Sequence, residues 1–190
     1  ISLSSEDTTT ITNRQPSIVT PVDISPDPTY NDSVVTCDGS ILDEDQIIQL
    51  DYNWALNGQS VGSTVSLDLS TLTVTPYDTL QCMLIATDSS QVTITDQATT
   101  TITNRPPSIG NISLSPSQGA STSSLIDCVA PVSDPDLDST TTSYAWYGDN
   151  GLLATSALVQ LDPSMVLPGE VLTCEVTGTD IHGETATEYK

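Results

Sequence analysis

Apolar residues recur at every second position in several short stretches of the chain. Val65, Leu67 and Leu69 do so in VSLDL, and Leu80, Cys82, Leu84 and Ala86 do so in LQCMLIA. A period of two places alternate side chains on one face, so these stretches predict strands with one buried face. Turn-forming clusters separate them at SPDPTYND, LNGQ, GDNG, LPGE and DIHGE, where Gly, Pro, Asn and Asp supply the conformations that tight turns need. No stretch keeps a 3.6-residue apolar period long enough for a helix, and the predicted class is all-β.

The pattern also repeats. With Asn13 aligned on Asn104, Arg14 meets Arg105, NRQPSI meets NRPPSI and Cys37 meets Cys128; after one inserted residue Trp54 meets Trp146, Cys82 meets Cys174 and Asp88 meets Asp180. Self-similarity on this scale indicates tandem structural repeats. The length, the seven or so short strands and the order Cys, Trp, Cys in each copy resemble the immunoglobulin-like sandwich, in which the cysteines sit on strands B and F and the tryptophan on strand C. That resemblance implies disulfides Cys37–Cys82 and Cys128–Cys174, with Trp54 and Trp146 packed against them in the cores. Zinc is the alternative use of four cysteines; the absence of a CxxC pair and the single His182 disfavour it. A bridge closing a loop of this size contributes roughly 4 kcal/mol in the chain-entropy model. The expected architecture is two tandem immunoglobulin-like β-sandwiches, residues 13–103 and 104–190, preceded by a terminal strand over residues 1–12 that completes a neighbouring sandwich.

The stretches NRPPSI, LIDCVAPVSDPDLDS, SYAWYGDNG and GEVLTCEVTGTD resemble the immunoglobulin-like, cadherin-like (PKD-like) repeats of prokaryotic extracellular surface proteins, across essentially the whole chain. The resemblance implies adhesive stalks or extracellular fibres, frequently with calcium at the domain junctions. The cadherin calcium motifs themselves are not reproduced.

Acidic loops carry the candidate chemistry. SDPDLDS places Asp134, Asp136 and Asp138 at alternate positions between strands B and C of the second copy. Calcium takes six to eight oxygen ligands in flexible geometry, which such a loop can supply more readily than the strict octahedron of magnesium. In an immunoglobulin topology this loop shares an end with the F–G turn and the start of strand A, so Asp180 and Asn104 are expected beside it. The first copy offers Asp43, Glu44 and Asp45 with Asp88 and Asn13, and Ile47 replaces the third aspartate; its site is expected to be poorer or differently built. The plainer reading is that these are turn residues and that Arg14 or Arg105 pairs with one carboxylate. One arginine per junction cannot neutralise three or four clustered carboxylates, and calcium is therefore expected as the cofactor.

Charge changes the picture of partners. Twenty-five Asp and Glu face three Lys and Arg, for a formal net charge of −22, which argues against nucleic acid as a partner. The sequence has no apolar run long enough to span a membrane and no signal-peptide pattern. Four cysteines and abundant Ser and Thr point to an oxidising, extracellular location at a cell surface or in a matrix. His182 lies in a turn, no nucleophile or phosphate-binding motif is present, and the carboxylates lack a partner of contrasting environment, so no enzyme is expected. Asn31 and Asn111 match the glycosylation sequon, a weak pattern.

The stretch TTTITNR occurs at Thr8–Arg14 and again at Thr99–Arg105. On the repeat alignment Ile1–Asp7 and Glu184–Lys190 both correspond to Val92–Ala98, so Thr8, Thr9, Thr10, Ile11 and Thr12 form a last strand without its own sandwich, and the second sandwich stops before its last strand ends. Two readings follow: a window from a longer array of repeats, or a subunit whose first strand adds to a neighbouring copy, a head-to-tail contact that makes a filament. Either way the expected role is a structural subunit of an extracellular filament or stalk, stiffened by calcium and disulfides, whose partner is itself or adjacent repeats. The competing reading is an adhesin module that binds a glycan or protein through exposed loops.

Overall fold

Strands with alternating burial need a second sheet to cover their apolar face, and each repeat supplies its own. The computed structural model describes residues 7–190, and the chain divides between Thr103 and Asn104 into two compact units.

The first unit contains β1 (Ser17–Ser25), β2 (Val34–Leu42), β3 (Ile48–Leu56), β4 (Gln59–Gly62), β5 (Ser66–Asp68), a single 3-10 turn at Leu69–Thr71, β6 (Thr79–Asp88) and β7 (Thr93–Thr101). They form two antiparallel sheets, in the orders β1-β2-β5 and β4-β3-β6-β7. The LNGQ stretch makes the β3–β4 hairpin, with Asn57 and Gly58 both at positive φ, 49° and 80°, as a two-residue turn of the primed type demands. The second unit contains β8 (Ser108–Ile109), β9 (Ser113–Ser115), β10 (Leu125–Val129), β11 (Val132–Ser133), β12 (Thr140–Gly148), β13 (Gly151–Ala154), β14 (Leu158–Gln160), β15 (Thr173–Asp180) and β16 (Thr185–Tyr189). Its sheets run β9-β10-β14, β8-β11 and β13-β12-β15-β16. The fold is all-β, and both units have the immunoglobulin-like arrangement.

The cores sit between the sheets. Every second residue of β6 and of β15 is buried, as the period of two predicts. Cys37 on β2 bonds Cys82 on β6 across the first sandwich, with their Cα atoms 6.0 Å apart; Cys128 on β10 bonds Cys174 on β15 across the second, at 6.6 Å. Trp54 and Trp146 are fully buried in these cores. Their indole N–H groups donate to the carbonyls of Thr64, at 2.8 Å, and Ser156, at 3.1 Å, which removes the cost of burying an unpaired donor.

Of the expected terminal strand, residues 1–6 lie outside the described residues. Thr8–Thr12 belong to no strand and are exposed. β7 pairs with β6 as far as Thr101 against Thr79, whereas β16 ends with Tyr189 opposite Glu175, and Lys190 still exchanges backbone bonds with Cys174.

Replacing both Cys128 and Cys174 by Ala should lower the unfolding free energy of the second unit by about 3–4 kcal/mol, because the closed loop no longer restrains the unfolded chain. Urea denaturation followed by Trp146 fluorescence in a Trp54→Phe background reads this unit alone.

Candidate cation site at the acidic end of each unit

In the second unit β12 begins where β15 ends, with Thr140 opposite Asp180. The β11–β12 loop and the β15–β16 turn therefore share one end of the sandwich. Asp180 organises its turn: Oδ1 accepts from the backbone N–H groups of His182 at 2.8 Å and Glu184 at 2.9 Å, and Oδ2 accepts from the Asn104 side-chain amide at 2.8 Å. Burial opposes ionisation of Asp180, but these hydrogen bonds outweigh it and hold the carboxyl below the usual range. The segment entering the unit is thereby tied to the far end of the chain's last hairpin.

The SDPDLDS loop folds onto the same spot. Asp134 Oδ1 accepts from the N–H of Asp136 at 2.7 Å and of Asp138 at 3.4 Å. Leu137, exposed at the tip, takes φ 66°. That left-handed step returns the chain so that Asp138 faces Asp134, and one carboxylate oxygen from each of Asp134, Asp136 and Asp138 falls within 4.8 Å of the others.

The three carboxylates are not equivalent. Asp136 receives the backbone N–H of Arg105 on Oδ2 at 2.6 Å and its Nε on Oδ1 at 2.8 Å, while Arg105 Nη2 reaches the Pro135 carbonyl at 3.0 Å. The plainer reading thus holds for Asp136, whose charge Arg105 balances. Three buried oxygens nearby accept no hydrogen bond: Asn104 Oδ1, Asp134 Oδ2 and Asp138 Oδ2. Asp138 Oδ2 lies 3.2 Å from His182 Nε2, an ion-pair distance. Burial pushes the Asp138 carboxyl above its ordinary range; His182 opposes the shift, and Asp134, Asp136 and Asp180 reinforce it. His182 was not legible as part of this site, because a lone histidine in a turn carries no sign of what faces it.

The first unit keeps the scaffold and changes the centre. Asn13 donates to Asp88 Oδ2 at 3.0 Å, and Asp43 Oδ1 accepts from the N–H groups of Asp45 and Gln46. The hydrogen bonds from Asp45 and Gln46 hold Asp43 below the usual range against the effect of burial. Gln46, which sequence reading passed over, donates to Asn13 Oδ1 and accepts from Ser89. Glu44 pairs with Arg14 in solvent, and Asp45 accepts from the Arg14 backbone at 3.1 Å. Glu44 is therefore drawn towards solvent, and among the described residues of this unit only Asp43 Oδ2 is a buried side-chain oxygen that accepts no hydrogen bond. Ile47, at the position of Asp138, is exposed.

Among known proteins the chain matches no family model and no curated protein. Similar solved structures include the amphioxus IgVJ-C2 molecule, at 15% identity over 85% of this chain and 95% of that one, with a TM-score of 0.37. Another is the Bacteroides ovatus mixed-linkage glucan utilization locus SGBP-B, solved with a mixed-linkage heptasaccharide, at 10% identity over 94% and 69%, with a TM-score of 0.31.

The two arginines predict different costs. Arg105→Ala, measured by denaturant unfolding in chelator, should destabilise the second unit by about 3–5 kcal/mol by stranding a buried carboxylate. Arg14→Ala, at an exposed pair, should change the first unit by at most about 1 kcal/mol.

Proposed function

We propose that the chain is a structural module of an extracellular filament or stalk, with immunoglobulin-like domains in series, head to tail, each held by a disulfide and the second locked at its entry by calcium. The observation that carries this reading is a set of three buried oxygens that accept no hydrogen bond, Asn104 Oδ1, Asp134 Oδ2 and Asp138 Oδ2, of which only the last faces another side chain, His182. They come from the entering segment and the acidic loop, beside an Asp180 that already ties the two ends of the unit together. Oxygen-only donors suit a hard cation, and a flexible loop suits calcium better than magnesium. Further ligands would come from backbone carbonyls and water. A cation there neutralises the repulsion among Asp134, Asp138 and Asp180 and fixes how the chain enters the domain, which is a mechanical role and not a catalytic one. The first unit, with Gln46 supplying neutral hydrogen bonds, needs the ion less.

Two disulfides favour an oxidising, extracellular setting, and no helix among the described residues is long and apolar enough to cross a membrane. The adhesin reading gains nothing from the tryptophans, since both are buried and offer no stacking surface for a sugar.

At calcium concentrations one hundred times Kd the second unit should gain about 2.7 kcal/mol, a rise in melting temperature of roughly 10–20 °C over the chelator-treated protein, with magnesium much less effective. Equal melting temperatures in calcium and chelator overturn the reading. Asp138→Asn should reverse sign with conditions. At pH 8 in chelator it removes like-charge repulsion and raises the melting temperature by a few degrees; in calcium it abolishes most of the calcium-dependent gain. Calorimetry on the variant in both buffers reads both effects.

A further inference from the structure

The three buried oxygens of the second unit that accept no hydrogen bond have a nitrogen beside them. The Asp180–Gly183 turn closes with Gly183 N–H on the Asp180 carbonyl at 3.3 Å, and Gly183 takes φ 94°. His182 is pinned inside this turn, its own N–H donating to Asp180 Oδ1 at 2.8 Å. Asp180 Oδ2 meanwhile holds the Asn104 amide by its nitrogen, so Asn104 Oδ1 is the atom left to meet a ligand. One carboxylate thus sets both an imidazole and an amide oxygen.

An ion pair between His182 and Asp138 accounts for only part of this arrangement. Nε2 and Oδ2 stand 3.2 Å apart, yet Asp138 Oδ2 accepts no hydrogen bond. Two atoms that bind one first-row transition ion at about 2.1 Å lie about 3.0 Å apart in an octahedron and about 3.4 Å apart in a tetrahedron. The observed separation falls between these values. An imidazole N–H satisfies one oxygen, which leaves Asn104 Oδ1 and Asp134 Oδ2 without a donor. Asp134 is only 8% exposed, and its Oδ2 is buried, so solvent does not make up the loss. The histidine and the carboxylate also change together between the repeats. Where the first unit has Ile47 in place of Asp138, it has Ser90 in place of His182. The turn itself is kept there, since Gln91 N–H bonds the Asp88 carbonyl at 3.1 Å and Gln91 takes φ 66°. The backbone therefore does not require a histidine at this place.

We propose that the site of the second unit also takes a first-row transition dication, with Asn104 Oδ1, Asp134 Oδ2, Asp138 Oδ2 and His182 Nε2 as its protein ligands. The inference rests on the cation reading above and names the residue that tells apart the ions sharing the site. Calcium and magnesium bind oxygen and gain little from imidazole, whereas zinc and its neighbours in the first row bind it well. Three oxygens, two of them from carboxylates, with one imidazole nitrogen form a mixed set that manganese(II) accepts, because it tolerates oxygen-rich coordination. Thiolate ligands are not on offer, since all four cysteines are in disulfides. Asp136 stays with Arg105 and outside the ligand set. The bound ion ties Asn104, the β11–β12 loop and the β15–β16 turn together, so the mechanical role is the one given to calcium. His182 then acts as a specificity-determining ligand.

Titration calorimetry of the whole chain with manganese, calcium and magnesium chlorides, joined to electron spin-echo spectroscopy of the bound manganese, tests the proposal. Manganese is expected to bind in competition with calcium and to show the nitrogen modulation of a directly coordinated imidazole. His182→Gln, which removes the imidazole from an accessible turn and keeps a polar side chain, should erase that modulation. It should also lower the ratio of manganese to calcium affinity by roughly tenfold or more. Asp138→Asn should weaken both ions. Bound manganese without nitrogen modulation, or an affinity ratio that His182→Gln leaves unchanged, overturns the assignment of His182 while the calcium reading stands. Nitrogen-coordinated manganese in a protein whose melting temperature ignores calcium has the opposite meaning: the calcium lock falls and the transition-ion site stands. A chain that binds neither ion overturns both.

Discussion

A buried carboxylate that closes a turn and also grips the segment entering the domain is the constraint on which each unit is built. Asp88 and Asp180 both do this, through Asn13 and Asn104. The strand that each asparagine leads into starts at a position defined from across the sandwich, and the acidic loop between the second and third long strands must then pack around it. An aspartate in this place costs little because backbone N–H groups of its own turn satisfy it, and the lowered carboxyl range of Asp180 records that balance.

Around this common anchor the two units solve the same electrostatic problem in different ways. In the first, Gln46 lies between Asn13 and Ser89 and satisfies the amide oxygen with a neutral donor, while Arg14 takes Glu44 out into solvent. In the second, the residue at the Gln46 position is Leu137, which turns away into solvent, and the next residue brings a further carboxylate inward. Arg105 compensates for one charge by binding Asp136 in a side chain largely removed from water. What is left over is negative and short of donors, which is the chemistry of a candidate cation site.

The opposite end of the first sandwich has a requirement of its own. A core between two sheets needs an apolar plug where the sheets diverge, and in the first unit Ile102 is that plug, held by backbone bonds to two separate loops. The positions in the second unit that correspond to the surroundings of Ile102, namely Ile126, Leu161, Val166 and Leu172, are also apolar.

The sequence by itself determined the class, the repeat, the cysteine pairs and the two core tryptophans. The class and the repeat depend on local periodicity and self-similarity, which survive without knowledge of long-range contacts, and the cysteine pairs and core tryptophans came with the resemblance to the immunoglobulin-like sandwich. It also brought Asp134, Asp136, Asp138, Asp180 and Asn104 to one end, because topology alone gathers those loops. Only the tertiary structure decided how the carboxylates divide their work. That Arg105 takes Asp136, that His182 faces Asp138, that Gln46 bridges Asn13 and Ser89 and that Glu44 turns outward all depend on side-chain direction over distances of a few ångströms. The period of the chain does not encode those directions, since they follow from the left-handed step at Leu137 and from which donors the packed loops leave within reach.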